Sequence, residues 1–503
     1  MMAIAARTHR PYPWRTARFV PETQPMRFAH AALALLTALP LPAAAQSMVR
    51  LKHLAPDGTL AGFLLTDGTL LFQGNQYTDW YRFTPDITGS YQNGTWTKAA
   101  SFPAGYAPLY FASAVLPDGR VMVSGGEYNQ GQFAFSNQCE IYDPVADTWT
   151  KFAPPAGWDY IGDSPSVVLP NGQFLIGSKF DKRLALLDAK TLTWTALSSA
   201  GKKDINAEEG WTLLPNGTFL TWDVTKAPNS EFYSPQSMHW KTAGQTATLL
   251  KGPPYVKTVH YGNGLIYRPP GEVGPGILRP DGTVFATGDT PAGASAGNTA
   301  IYTPGAHGAG TWTAGPSFPN NVSAGDGEAA LLPTGNVLVQ GSDTVLYEFN
   351  GAKLTPSQFT GLTYGSLFIL PTGEAVVSGE ALYRAAGSVN PAWAPAITGA
   401  PSSVTRGGTY SISGTQFNGL SQAAGFGDEV ETATNYPLVR ITNTATGHVF
   451  YARTHDHSTM AVATGTATVS TNFDVSKSTE TGPATLAIIA NGISSPVLKI
   501  TVQ

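Results

Sequence analysis

The chain has 503 residues, 42% of them hydrophobic and only 13% charged, which excludes a disordered chain and calls for two domains or a repeat array. Its net charge of −4, with no basic stripe and no Cys/His finger spacing, excludes nucleic acid as a partner. Glycine at 54 and proline at 38, beside 11 Trp and 20 Tyr, favour short strands and tight turns over helices.

Residues 1–45 read as an N-terminal extension ending in an export signal. Met26-Arg27 is a positively charged start, 31–41 is an apolar run, and Ala43-Ala44-Ala45 is a small-residue cleavage site. The run is too short, and too interrupted at Pro40 and Pro42, to span a bilayer. Translation is therefore expected to begin at Met26, and the product to be periplasmic or secreted, with no membrane attachment after cleavage. Removal of residues 1–45 leaves 25 Lys and Arg against 33 Asp and Glu, a net charge of −8 that suits a soluble monomer. Cys139 is the sole cysteine, so no intrachain disulfide can form.

From residue 46 one phrase recurs: an apolar run, a tight turn, a second apolar run, then small residues. The turns are Leu65-Thr66-Asp67-Gly68, Leu116-Pro117-Asp118-Gly119, Leu169-Pro170-Asn171-Gly172 and Leu214-Pro215-Asn216-Gly217, followed by Arg279-Pro280-Asp281-Gly282, Leu332-Pro333-Thr334-Gly335 and Leu370-Pro371-Thr372-Gly373. Proline presets one turn dihedral and glycine takes the positive φ, so each copy predicts a hairpin. Later in several copies come an aromatic strand and a tryptophan, with Trp96, Trp149, Trp194, Trp312 and Trp393 at similar places. About four strands per copy make one propeller blade. The turn glycines are spaced 51, 53, 45, 65, 53 and 38 residues apart, so residues 46–395 predict seven blades, with an insertion between Gly217 and Gly282.

Gly125-Gly126, then Tyr142-Asp143-Pro144 and Thr148-Trp149-Thr150, resemble the kelch repeat, a phrase specific to fold and hardly to function. Residues 396–503 lack the turn phrase and alternate as strands, as in 409–414, 438–441 and 484–489, which predicts an immunoglobulin-like β-sandwich. A kelch propeller with such a tail resembles the galactose oxidase superfamily. That resemblance implies a tail loop with a histidine copper ligand, best matched by Thr454-His455-Asp456-His457, so His455 and His457 are the metal candidates. It also implies a cysteine crosslinked to tyrosine. Cys139 falls in an outer strand, and Thr363-Tyr364-Gly365 has no histidine where the family has a Tyr-His pair. No Cys–Tyr radical cofactor is expected, while a single copper or calcium ion stays open.

A propeller places its ligand site where the innermost strands begin. Seven residues before each turn proline stand Tyr110, Asp163, Glu208, Val273, Asp326 and Tyr364, with Glu209 and Glu328 alongside. Carboxylates gathered at a channel mouth can ligate a cation, bind sugar hydroxyls or divide acid and base roles. Tyr106, Phe111, Trp158, Tyr160, Trp211 and Tyr261 lie near the same strand starts and read mainly as core. Gly293-Ala294-Ser295-Ala296-Gly297 spells a hydrolase motif but lies in a loop without the strand–turn–helix elbow. Three functions follow: a propeller binding a carbohydrate or other small molecule at an acidic mouth, a galactose oxidase-like metal oxidoreductase without the radical cofactor, and a protein-interaction scaffold. Whether the chain is an enzyme is left open.

Overall fold

In the computed structural model, residues 45–255, 259–260, 266–305, 309–426 and 432–503 are described. Residues 1–44 of the segment expected to direct export, and Tyr261, lie outside them. No helix among the described residues is long and apolar enough to cross a membrane.

The repeated turn phrase folds as antiparallel meanders. Gly62–Leu64, Leu70–Gln73, Trp80–Thr84 and Thr95–Ala99 form the first four-stranded sheet in chain order, and the following copies repeat the pattern. Among the described residues there are six such sheets and a seventh that gains a fifth strand. Innermost strands touch their successors: Ala112–Val115 lies against Ser166–Val168, and Val273–Leu278 lies between Thr212–Leu213 and Ala329–Leu331. Ala329–Leu331 contacts Leu367–Ile369, which in turn contacts Gly62–Leu64, so the last inner strand meets the first and the sheets close into a β-propeller.

Closure is covalently offset. The final sheet takes its outer strand from the other end of the chain, with Ser47–Arg50 pairing antiparallel to Ala381–Arg384. This is why Trp393 departs from the expected outer-strand position. The place is already filled, and Trp393 ends a short 3₁₀ turn, Pro391–Trp393, instead. The fourth sheet supplies a tryptophan not named among the expected ones, Trp240 in the strand His239–Gln245, while the copy around Tyr347, expected to lack one, ends in Leu354–Pro356.

Two repeated contacts join successive sheets. Trp96, Trp149 and Trp194 each donate an indole N–H, at 3.0 Å, to the carbonyls of His53, Ala100 and Ala153 respectively, next to or just beyond the preceding outer strand. Trp312 does the same to Ala243 at 3.2 Å. The turns stack as well: a Cβ on Gly172 would come within 2.6 Å of Pro117 Cγ, so the short turn needs glycine both for its φ of 83° and for this contact.

After Trp393 the chain forms a nine-stranded sheet, Ala396–Gly399 through Leu498–Val502. One buried cluster takes Ile412 and Phe473 from one half of this sheet and Val439, Ile441, Leu486 and Ile488 from the other, so the sheet folds over its own core. The tail docks on the turn end of the propeller. Thr454 N–H donates to the Thr66 carbonyl at 3.1 Å, His457 N–H to Pro117 at 3.3 Å and Met460 N–H to Pro170 at 3.0 Å.

A hairpin of the tail also enters the ring. Leu331 N–H donates to the Ala423 carbonyl at 2.8 Å, and Ala424 and Gly425 pair with Ala330 and Ala329. As this segment advances, its partners run backwards from the turn end toward the strand start, so it climbs inside the channel. Gln422 accepts from Leu213 N–H at 2.8 Å, and Thr434, on the returning limb, donates its N–H to Gln422. Small residues (Ala423, Ala424 and Gly425, all buried) fit a bore lined by inner strands.

Candidate functional site

The opposite end of the inner strands, roughly 20 Å from the turns, is where the sequence places its candidates. The chain turns sharply there. Tyr110, Glu208 and Asp326 hold φ of 53°, 55° and 53°, and Asp163 follows Gly162 at 78°. Left-handed backbone at a non-glycine residue costs about 1–3 kcal/mol and clusters at functional sites. The corner at Glu208 also separates neighbours that are adjacent in sequence: Glu208 turns to the mouth, while Glu209 bonds Lys202 at 2.6 Å and 2.9 Å.

Asp163 and Glu208, from consecutive sheets, meet through Lys179. Its ammonium lies 2.5 Å from Asp163 Oδ2 and 2.7 Å from Glu208 Oε2, with all three side chains buried. Tyr267 donates its hydroxyl to Glu208 Oε1 at 3.1 Å. Tyr267 belongs to the stretch between Gly217 and Gly282 anticipated as an insertion, in the short hairpin Val259–His260 and Ile266–Tyr267. Burial pushes the Asp163 carboxyl well up, against the pull of Lys179, and the nearby Glu127 and Glu208 add to the rise. The Tyr267 hydroxyl is also raised, by burial first and then by Glu208.

Aromatic rings form a wall over this ion-paired group. Tyr110 meets Tyr128 edge-on at 5.9 Å, Tyr128 meets Phe133 at 5.2 Å, and Phe135 meets Phe180 at 4.8 Å. Phe180 meets Tyr267 at 5.2 Å and Tyr160 at 5.9 Å. Tyr110, Tyr128, Phe133, Tyr160, Phe180 and Tyr267 keep part of their surface exposed. Phe135 and Tyr267 lie 6.0 Å and 5.7 Å from the Lys179 ammonium, at cation–π range. Tyr106, Phe111, Trp158 and Trp211 are buried, in line with a core role.

On the other side of the channel, Tyr364 donates its hydroxyl to the Asp326 carbonyl. Glu328 is buried, with Oε2 lacking a partner among the described residues. Burial raises its carboxyl to about 8, partly opposed by the backbone N–H of Leu367. The mouth thus offers half-exposed rings, a buried Lys–carboxylate group behind them, and one carboxyl that keeps its proton near neutrality.

The tail histidines sit elsewhere. His455 and His457 flank the docking contacts on the turn end, away from Asp163 and Glu208. His455 Nδ1 and Nε2 lie 2.7 Å and 3.2 Å from Asp456 and Asp474. His457 is buried, stacked parallel on Tyr436, with Nδ1 2.8 Å from Thr471 Oγ1 and its pKa lowered to about 3 by burial. Cys139 lies in the third strand of its sheet, Cys139–Asp143, fully buried, with its thiol pushed far up by burial. Cys139 and the two histidines are thus held apart, the thiol within a propeller sheet and the imidazoles in the tail. The loop with Ser295 is exposed, and that hydroxyl bonds Asn320 Oδ1 at 3.2 Å.

Several mouth residues were not picked out from sequence: Lys179, Glu127, Phe135, Phe180 and Tyr267. A usable signal existed for Lys179, since it stands seven residues after the turn glycine Gly172, the position of Asp289 after Gly282. Tyr267 carried none, because its hairpin lies outside the repeat.

No protein-family model matches the chain, and no curated protein is significantly similar to it. Among solved structures it is similar to a fungal alcohol oxidase of the AA5 family in complex with copper, at 14% identity, covering 92% of this chain and 99% of that one, with a TM-score of 0.48. It is also similar to YjhT, at 15% identity over 61% and 99% of the two chains with a TM-score of 0.38. A virginiamycin B lyase from Staphylococcus aureus shares 11% identity over 67% and 97%, with a TM-score of 0.37.

Proposed function

We propose that the chain is an exported, seven-bladed kelch propeller with an immunoglobulin-like tail, and that it binds a polyhydroxylated small ligand, such as a glycan, at the mouth where the inner strands begin. The observation that carries this reading is the pairing of Lys179, Asp163 and Glu208 behind the half-exposed wall from Tyr110 to Tyr267. Sugar rings present apolar faces and directed hydroxyls, and this combination of ring faces and polar groups meets both. A buried ion pair is weak as a source of stability. Its position at a mouth that also holds three left-handed non-glycine residues favours recognition instead.

The test is a glycan-array screen of the mature chain, followed by calorimetric titration of the strongest hit. Saturable binding that weakens at least tenfold in Tyr160→Ala supports the reading. An array with no hit, together with no heat from concentrated mono- and oligosaccharides, overturns it.

A metal-dependent oxidoreductase without the radical cofactor is the second reading, favoured by Glu328, whose carboxyl can hold or release a proton inside the channel. Oxygen uptake with a panel of alcohols and sugars tests it, and uptake that disappears in Glu328→Gln supports it.

A further inference from the structure

A second group of buried charges lies on the side of Glu209 turned away from the mouth. Asp204, Glu209, Asp223 and Glu231 are all within 2% of full burial, and among the described residues the cation bonded among them is Lys202. Lys202 Nζ bonds both oxygens of Glu209, at 2.9 Å and 2.6 Å, and lies 3.1 Å from Glu231. Four carboxylates share one bonded ammonium, with the charges of Lys182 and Lys251 acting on Asp223 and Asp204 without a bond, and the excess negative charge in a buried setting is unfavourable without protons or another cation.

The partners of these carboxylates are unevenly shared. Asp204 Oδ2 accepts from Thr225 N–H at 2.7 Å and its Oδ1 from Ile205 N–H at 2.9 Å, which fixes its orientation. Glu231 accepts from Lys203 N–H at 2.8 Å. Asp223 has neither oxygen hydrogen-bonded among the described residues, although both are buried. Its carboxylate faces the other two: one oxygen each from Asp204, Glu209 and Asp223 lie within 4.8 Å of one another. Burial raises the Asp223 carboxyl to about 7, against the pull of Lys202, and Glu231 and Asp204 add to the rise.

We infer that Asp204, Glu209 and Asp223 bind one calcium ion at the edge of the fourth sheet. Three oxygens within 4.8 Å of one another share a point no more than about 2.8 Å from each, which the roughly 2.3–2.6 Å of a calcium–oxygen bond can meet with at most a small side-chain adjustment. Magnesium demands near-ideal octahedral geometry and gives up its waters reluctantly, so a buried set of three protein oxygens suits it less well than calcium. All-carboxylate donors favour a hard cation over copper or zinc. A divalent ion also offsets the excess negative charge of the group. The strand Phe219–Trp222 ends next to Asp223, so the ion ties the end of that strand to the segment leading into the inner strand Thr212–Leu213.

The experiment uses the mature full chain, freed of metal with a chelator and dialysed, then titrated calorimetrically with calcium chloride and with magnesium chloride. One calcium per chain is expected, with magnesium at least tenfold weaker. Terbium, a calcium surrogate, should give emission on tryptophan excitation because Trp222 adjoins Asp223. Asp223→Asn should weaken calcium binding at least tenfold while keeping the far-ultraviolet circular dichroism of the parent. Should that variant fail to fold, Asp204→Asn and the parent's own stoichiometry decide. Absence of calcium heat and terbium emission in the parent, or calcium binding unaltered in folded Asp223→Asn, overturns the inference.

Discussion

Glu328→Gln separates electrostatics from packing inside the channel, because glutamine keeps the shape and an oxygen acceptor for Leu367 N–H but has no proton to lose. The folded carboxyl titrates near 8 instead of the usual 4.5, chiefly through burial. The group therefore contributes fully below about pH 4.5, where both states are protonated. As pH rises, the unfolded chain ionises first, and stability is lost at about 1.4 kcal/mol per pH unit until the folded group ionises near pH 8. The shift of 4.5 to about 8 sets a ceiling of about 5 kcal/mol on this loss. Glu328→Gln removes it. Urea unfolding of both proteins at half-unit steps from pH 4.5 to 8.5 should give coincident curves at the acid end and a widening advantage for the variant toward pH 8. A constant offset across the range would refute the reasoning, since packing changes do not titrate.

Three further outcomes test the fold. Gln422→Ala strips the acceptor from the buried Leu213 N–H, and should cost about 1–3 kcal/mol by thermal or urea unfolding if the tail hairpin fills the channel. Gly125→Ala places a Cβ 2.2 Å from the Gly162 carbonyl at a φ of 82°, so the expected result is loss of soluble protein, whereas Gly105→Ala, with a φ of 93° but open space around its Cβ, should show only the backbone strain of about 1–2 kcal/mol. His457 is held neutral, with its folded pKa lowered from 6.5 to about 3. Below pH 6.5 the unfolded imidazole binds a proton that the folded one does not, so stability falls with acid toward pH 3, and His457→Gln should flatten that part of the pH profile.

The propeller was legible because its physics is local and repeated. Each Leu-Pro-x-Gly turn needs its proline and glycine for a dihedral and for the stacking seen at Gly172 and Pro117. Trp96, Trp149 and Trp194, each in a fourth strand, find a carbonyl next to or just beyond the preceding outer strand, as Trp149 does at Ala100. Ring closure was not legible, since Ser47–Arg50 is a four-residue strand whose partner lies more than 330 residues away. The channel hairpin was missed for a related reason. Ala423, Ala424 and Gly425 look like a loop, and only the narrow bore makes small residues informative.

At the site, the register arithmetic located the strand starts, and Asp163 and Glu208 do converge there. It could not see that Glu208 and Glu209 part company, because that depends on the left-handed backbone at Glu208. Lys179 comes from a second strand of the repeat, and the mouth is built from its contacts with both carboxylates. The tail histidines attracted attention through family resemblance alone, while their surroundings, Asp474 for His455 and Thr471 for His457, belong to the tail sheet.

The most direct measurement is calorimetric titration of the best glycan hit into the parent chain, Tyr267→Phe and His455→Ala. Tyr267→Phe removes one hydroxyl from Glu208 and little else. Binding at the strand-start mouth predicts an affinity at least fivefold weaker for Tyr267→Phe and unchanged for His455→Ala. Loss in His455→Ala with Tyr267→Phe unchanged would move the site to the tail and contradict the account.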